Sequence, residues 1–382
     1  MTTLVRRRAR RRAALLQKPA AAFAAVLLGA GWAAGVAAAA PSHNAQFLLM
    51  GGTATGDVAV LRIADDGGLS PVGGSPFSAG PGVLSVAAAP DSRTVYVTQV
   101  GAQRVTGYHI DGNGAAHPIP GGEVAFSGGP VVTSILTPDG RFLFIGAGGV
   151  PGRISTFAVS PTGALTFLRE TTVTGFAVFP MVTVDPNGRY LRFTSAADAK
   201  IHSYRIGAEG ELTSLGDPVP GGTLPVNPGY TPDGRFVYVS NEQGSSVSGF
   251  AIGDDGRLTP TPGSPYATGG MPHAAEVTSD GRFVYVPEVA GGAVAGFSIG
   301  PDGALTPLPG SPYKQPAGSY PGLVKLSDDE RHLYVADCLP ATVTTKVHIF
   351  DVGPDGTLTR SALPSVDTGT IFGDGPILVK TS

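Results

Sequence analysis

Residues 232–240 read Pro232-Asp233-Gly234-Arg235-Phe236-Val237-Tyr238-Val239-Ser240, a tight-turn phrase running straight into an aromatic and β-branched stretch. Asp and Gly supply turn chemistry, since Gly tolerates positive φ and Asp bonds the backbone two residues on. The alternating run that follows places bulky groups on both faces of a strand. The phrase recurs at Pro138-Asp139-Gly140-Arg141-Phe142, Pro186-Asn187-Gly188-Arg189-Tyr190 and Ser279-Asp280-Gly281-Arg282-Phe283, with looser copies at Asp91-Ser92-Arg93 and Asp329-Glu330-Arg331. The arginines at 93, 141, 189, 235, 282 and 331 are spaced by 48, 48, 46, 47 and 49 residues, a repeat of about 47.

Within one period the order is fixed. A first strand ends in the Asp-Gly turn, a second covers Phe236 to Ser240, a third Ser246 to Ile252, and a weaker fourth follows another Gly turn such as Asp255-Gly256-Arg257-Leu258 or Asp302-Gly303-Ala304-Leu305. Each unit is therefore a four-stranded antiparallel meander with two apolar faces, and it needs a neighbour on each side. A closed ring of blades supplies them. Second strands begin at Phe47, Val95, Phe142, Tyr190, Phe236, Phe283 and Leu333, which predicts an all-β, seven-bladed propeller. Gly375-Pro376-Ile377-Leu378-Val379-Lys380 has the pattern of a first strand with no second strand after it, so the C-terminal strand is expected to pair into the N-terminal blade and remove the unpaired edge.

Ahead of the repeats, Arg6, Arg7, Arg8, Arg10, Arg11 and Arg12 precede an apolar stretch from Ala20 to Ala40. This layout predicts a signal peptide over 1–39, cleaved after the small residues Ala37-Ala38-Ala39, and one domain over 40–382 that is secreted or displayed at the cell surface. Arg11-Arg12 followed by Leu15-Leu16 suits a twin-arginine signal, and the general secretory route accounts for the same residues. Loss of six arginines and Lys18 leaves 19 basic residues against 29 acidic ones. An acidic chain has no general attraction for phosphate backbones, so nucleic acid is not an expected partner, and neither is a membrane after cleavage. The expected partner is a small-molecule substrate or an extracellular ligand, and the expected working form is a monomer. Cys338 is the only cysteine, so packing and not a disulfide must hold the fold.

Motifs for chemistry are sparse. Gly296-Phe297-Ser298-Ile299-Gly300 fits the nucleophile-elbow pattern, but that motif works on a strand-to-helix turn and here it lies along a third strand, so Ser298 reads as structural. His273 and Glu276 are three apart on a strand and point to opposite faces. No metal-ligand spacing or cofactor motif is present, and none is expected; spacing along the chain is silent on carboxylates meeting in a central channel. In a propeller the loops joining second to third strands and fourth to next first strands share one mouth, opposite the Asp-Gly-Arg turns, and sites gather there. That end carries Asp198, Asn241, Glu242, His273, Glu288, Asp337 and Asp374, with Arg104, Arg153, Lys200 and Lys346 opening third strands.

Phe236 to Val247, with its Ser240-Asn241-Glu242 and Ser245-Ser246-Val247, resembles the Val-Asn-Glu and Ser-Ser-Val segment of the lactonase-type seven-bladed propellers, which include 6-phosphogluconolactonases and relatives of carboxymuconate cyclases. The resemblance implies that Asn241 and Glu242 face the site, with Glu288 one blade later. The family's Gly-Pro-Arg-His segment falls on Leu224-Pro225-Val226-Asn227, so Arg and His are both replaced and Asn227 stands at the His position; Met271-Pro272-His273 is a partial echo in another blade. Two classes of function follow. An exported lactone hydrolase or cycloisomerase would use Glu242 as general base, Asn241 to orient, and His273 as the polarising group, with Asn227, Glu288, Arg153 and Lys200 binding substrate. Val95-Tyr96-Val97-Thr98-Gln99 also resembles the Tyr-Val-Thr-Asn repeats of surface-layer propellers, which implies a non-catalytic binding or scaffold propeller.

Overall fold

A computed structural model describes residues 45–126, 129, 131–338 and 343–381, and every regular element among them is a strand. The expected leader, 1–39, and the first residues of the expected domain lie outside the described residues. The described strands form seven antiparallel blades. Their second strands are Ala45–Gly52, Thr94–Gln99, Phe142–Ala147, Tyr190–Ser195, Phe236–Asn241, Phe283–Glu288 and His332–Asp337, which give blades 1 to 7 in that order.

Blade 5 shows how the repeat phrase works. Its strands are Pro225–Tyr230, Phe236–Asn241, Ser246–Ile252 and Leu258–Pro260. In the turn after the first strand, the Thr231 hydroxyl donates to Asp233 at 2.6 Å and accepts the Phe236 N–H at 3.0 Å, while Asp233 accepts the Arg235 N–H at 3.0 Å. The Arg235 guanidinium lies over the Phe236 ring, 4.9 Å from its centroid, and donates to the Pro301 carbonyl of the next blade at 3.0 Å. Arg141, Arg282 and Arg331 reach the neighbouring turns at Ala208, Pro354 and Asp65 in the same way. The Asp-Gly-Arg phrase is thus turn and blade-to-blade stitching, as its repetition suggested.

The fourth strand is weak in sequence because in five blades it is broken. In blade 5, Leu258–Pro260 and Tyr266–Ala267 both pair with the third strand, and the chain leaves the sheet between them. Blades 2 and 3 instead have unbroken fourth strands, Ala116–Ala125 and Leu165–Val173.

The core lies between blades. Phe236 and Tyr238 of blade 5 pack with Val284, Val286 and Phe297 of blade 6, all buried; each such side chain contributes about 1.5–3 kcal/mol by leaving water. A polar bond recurs inside these interfaces. The hydroxyls of Tyr96, Tyr238, Tyr285 and Tyr334 donate to the carbonyls of Gly163, Gly303, Gly356 and Gly67, each in the third-to-fourth-strand turn of the following blade, at 2.8–3.0 Å. Gly303 sits at φ 82°, and a Cβ there would collide with the Phe236 ring, so the turn needs glycine twice over. In blade 4 the fully buried Arg192 takes the tyrosine's place and donates to Gly256 O at 2.7 Å.

The ring closes as the sequence predicted. The strand Gly373–Thr381 pairs antiparallel with Ala45–Gly52, Val379 opposite Phe47 and Ile377 opposite Leu49, and so becomes the first strand of blade 1. First strands of successive blades adjoin round the axis, from Gly373–Thr381 through to Pro321–Leu326 and back.

Candidate active site at the channel mouth

At the end opposite the Asp-Gly-Arg turns, the starts of the first strands and the ends of the second strands enclose a cavity of 420 Å³, within the range that holds a small ligand. Glu242 and His273 both line it. Glu242 follows the second strand of blade 5, held by a bond from its N–H to Leu224 O at 3.0 Å; His273 precedes the first strand of blade 6, held by a bond from its N–H to Pro287 O at 3.1 Å. Their side chains approach across the blade boundary, Glu242 Oε1 to His273 Nδ1 at 3.6 Å, both partly open to solvent. That spacing is longer than a direct hydrogen bond, and Nδ1 has no hydrogen-bond partner among the described residues.

Asn227 supports this pair from below. Its amide donates to the His273 carbonyl at 2.8 Å, and its own backbone takes φ 39° at a bulge in the first strand of blade 5. It fixes the histidine's backbone and is not itself among the lining residues.

Asn241 and Glu288 do not join the cavity. Both end second strands, one residue before the turn, and both are buried at 1% exposure. Asn241 Nδ2 donates to Ser246 and Ser248 at 3.0 and 2.9 Å, clasping the hairpin that carries Glu242. Glu288 accepts the Gly269 N–H at 2.6 Å and so pins the loop arriving from blade 5; burial pushes its carboxyl above the usual range, against that bond and Lys314. The equivalent residues of other blades anchor their own arriving loops, Ser195 by donating to Phe176 O and Asp337 by accepting from Tyr320 N. Asp337 also meets the buried His348, which bonds Ser319 and Ser365 in turn; His348 stands where Thr106 and Ser248 tie the hairpins of other blades.

Arg153 and Lys200 lie farther from the axis, at the starts of third strands, and line no part of the cavity. Arg153 is paired with Glu170 at 2.8 Å and Lys200 is exposed. Glu276 turns away to Lys325 at 2.8 Å, and Ser298 donates to its own blade at Thr306 O. A cleft of 740 Å³ opens at the far end between blades 7 and 1, but it is walled by turn residues such as Asp329 and Arg331, whose counterparts recur in blades 2 to 6.

Sequence reasoning missed the rest of the wall. It is built mainly from Phe179, Met181, Leu224, Val226, Met271 and Phe372, with Leu84, Val289 and Cys338 beside them and Gln243 next to Glu242. The repeated dipeptides Phe179-Pro180, Leu224-Pro225 and Met271-Pro272 were the signal for it.

Part of the chain resembles known proteins. The family description "Lactonase, 7-bladed beta-propeller" matches residues 229–317, the segment that holds Glu242 and His273. Over that segment the chain is similar to the lactonase-type seven-bladed propellers. It is 36% identical over 107 residues to a 6-phosphogluconolactonase of Pectobacterium carotovorum, covering 27% of this chain and 30% of that one. It is 26% identical over 175 residues to a 6-phosphogluconolactonase of Enterobacter, covering 44% and 48%. The chain thus spans less than half the length of these relatives. A periplasmic gluconolactonase of Pseudomonas aeruginosa superposes with a TM-score of 0.73 at 22% identity, over 88% of this chain and all of that one; a Lactobacillus plantarum protein gives 0.71 at 16% over the same shares. At such identities the superpositions speak for the shared propeller fold alone.

Proposed function

We propose that this lactonase-family propeller hydrolyses a small lactone at the channel mouth. The observation that carries the reading is the Glu242–His273 pair, 3.6 Å apart on the wall of a ligand-sized cavity. Glu242 takes a proton from water as the water oxygen attacks the lactone carbonyl carbon. His273, as the acid, polarises the carbonyl and then gives its proton to the ring oxygen when the ring C–O bond breaks, and the proton held by Glu242 restores it. The product is a hydroxy acid. Asn241 and Asn227 act by position, one holding the Glu242 hairpin and the other the His273 backbone. Relatives bearing lactonase names support the substrate class, and the arginine-led apolar stretch before residue 41 supports export of the chain.

The test is acid release from a panel of sugar and aliphatic lactones by wild type and Glu242→Gln. Loss of a general base costs about 10²–10⁴-fold in rate, so turnover that falls by that factor supports the reading. A second reading, ligand binding without turnover, is favoured by Val226 and Asn227 standing where the family has Arg and His. It is the one left if no lactone is opened.

A further inference from the structure

The cavity wall departs from what a phosphorylated or polyhydroxylated substrate requires. Its apolar collar comes from one kind of position used repeatedly, a left-handed residue on the approach to a first strand, directly before it at Leu224 and Phe372 and slightly earlier at Phe179 and Met271. Phe179, Leu224, Met271 and Phe372 occupy it with φ of 47°, 58°, 57° and 60°, whereas blade 2 has Gly82 there at 75°. Left-handed backbone is disfavoured for bulky L-residues and is the natural place for glycine. Such strain persists where surrounding structure imposes it and tends to gather at ligand clamps. At Phe179 the packing of the fold does not account for it, because that side chain is 56% exposed; Leu224, Met271 and Phe372 are half-buried. Four bulky, apolar side chains on left-handed backbone are thus presented to one opening, at a position that blade 2 fills with glycine.

The charges point the same way. Among the described lining residues no Lys or Arg appears, and the ionisable wall groups are Glu242, His273 and Cys338. A phosphate brought against Glu242 would be repelled and would find no guanidinium or ammonium to hold it.

We infer that the mouth binds a neutral lactone carrying an alkyl chain or apolar ring, its carbonyl end at Glu242 and His273 and its apolar end inside the collar of Phe179, Leu224, Met271 and Phe372. This rests on the proposed hydrolysis for the carbonyl end only. The collar selects the substituent.

The test separates the two. Binding is measured by calorimetry with non-hydrolysable δ-lactams bearing alkyl chains from methyl to hexyl, and with gluconolactam and its 6-phosphate as polar probes. Turnover is measured on the matching lactones. Affinity should rise about 4-fold per methylene, the factor for burying one CH₂, and the dependence should flatten in Phe179→Gly and Leu224→Gly, whose backbone conformations glycine adopts freely. Chain-length-dependent binding without turnover of any lactone upholds the ligand class and sinks the hydrolysis. Tighter binding of either polar probe, or affinity indifferent to chain length, overturns the inference whether or not hydrolysis is found.

Discussion

The Tyr334 hydroxyl donates to the Gly67 carbonyl at 3.0 Å, joining blade 7 to blade 1 across 267 residues of chain. The same bond recurs within the ring at Tyr238–Gly303 and Tyr285–Gly356, so one side chain per interface combines apolar burial with satisfaction of a turn carbonyl that has left water. Tyr334→Phe keeps the ring packing and orphans the acceptor. The expected loss is about 1–3 kcal/mol, read as a lowered urea midpoint with unchanged slope.

Closure by the last strand gives a harsher outcome. Removal of 373–381 strips the hydrogen-bonding edge from Ala45–Gly52, a strand buried along nearly its whole length. An exposed apolar edge recruits other chains. The truncated protein should aggregate on gel filtration, and any soluble fraction should lose cooperative unfolding.

Acid stability should depend on the turns. Partial burial alone would raise the Asp329 carboxyl, but the Ser327 hydroxyl and Arg331 outweigh it and hold it at about 2, against an ordinary 3.8. Asp139 and Asp280 are lowered likewise, burial again being outweighed by bonds from Thr137 and Thr278 and from Arg141 and Arg282. A depressed carboxyl contributes stability that is whole above its unfolded value and lost as pH falls through the folded one. The urea midpoint should therefore drop between about pH 4 and pH 2, with a shallower drop in Asp329→Asn.

Glu288 has the opposite sign. Burial raises its folded value above 4.5, so the folded state holds its proton more tightly than the unfolded one, and stability is lost as pH rises through the raised value. Glu288→Gln, which keeps an acceptor for the Gly269 N–H, should melt higher than wild type at neutral pH. The advantage should vanish at about pH 4, where both forms are neutral; thermal melts across pH measure it.

The repeat made the blades, their number and the ring closure legible, because each Asp-Gly-Arg phrase forms the same turn with the same partners. The site was legible in part. Glu242 and His273 were reached through family likeness and a chance echo, yet they stand on two blades with no period by which sequence could bring them together. Asn241 ends its strand and turns into its own hairpin to bond Ser246 and Ser248, so only the turn residue Glu242 reaches the cavity. The collar stayed hidden for another reason. Nothing in Leu224-Pro225 or Phe179-Pro180 announces positive φ, a conformation bulky side chains rarely adopt. Arg153 and Lys200 looked basic and well placed, but a third strand lies too far from the axis.

Hydrolysis at the mouth requires Glu242 and His273 to act as one unit. A double-mutant cycle on kcat/KM for the lactone opened fastest, using Glu242→Gln, His273→Gln and the pair, measures it. If the residues share one proton path, each single change should cost about 10²-fold or more and the double variant little beyond the worse of the two. Fully additive losses, or a Glu242→Gln variant as active as wild type, would contradict it.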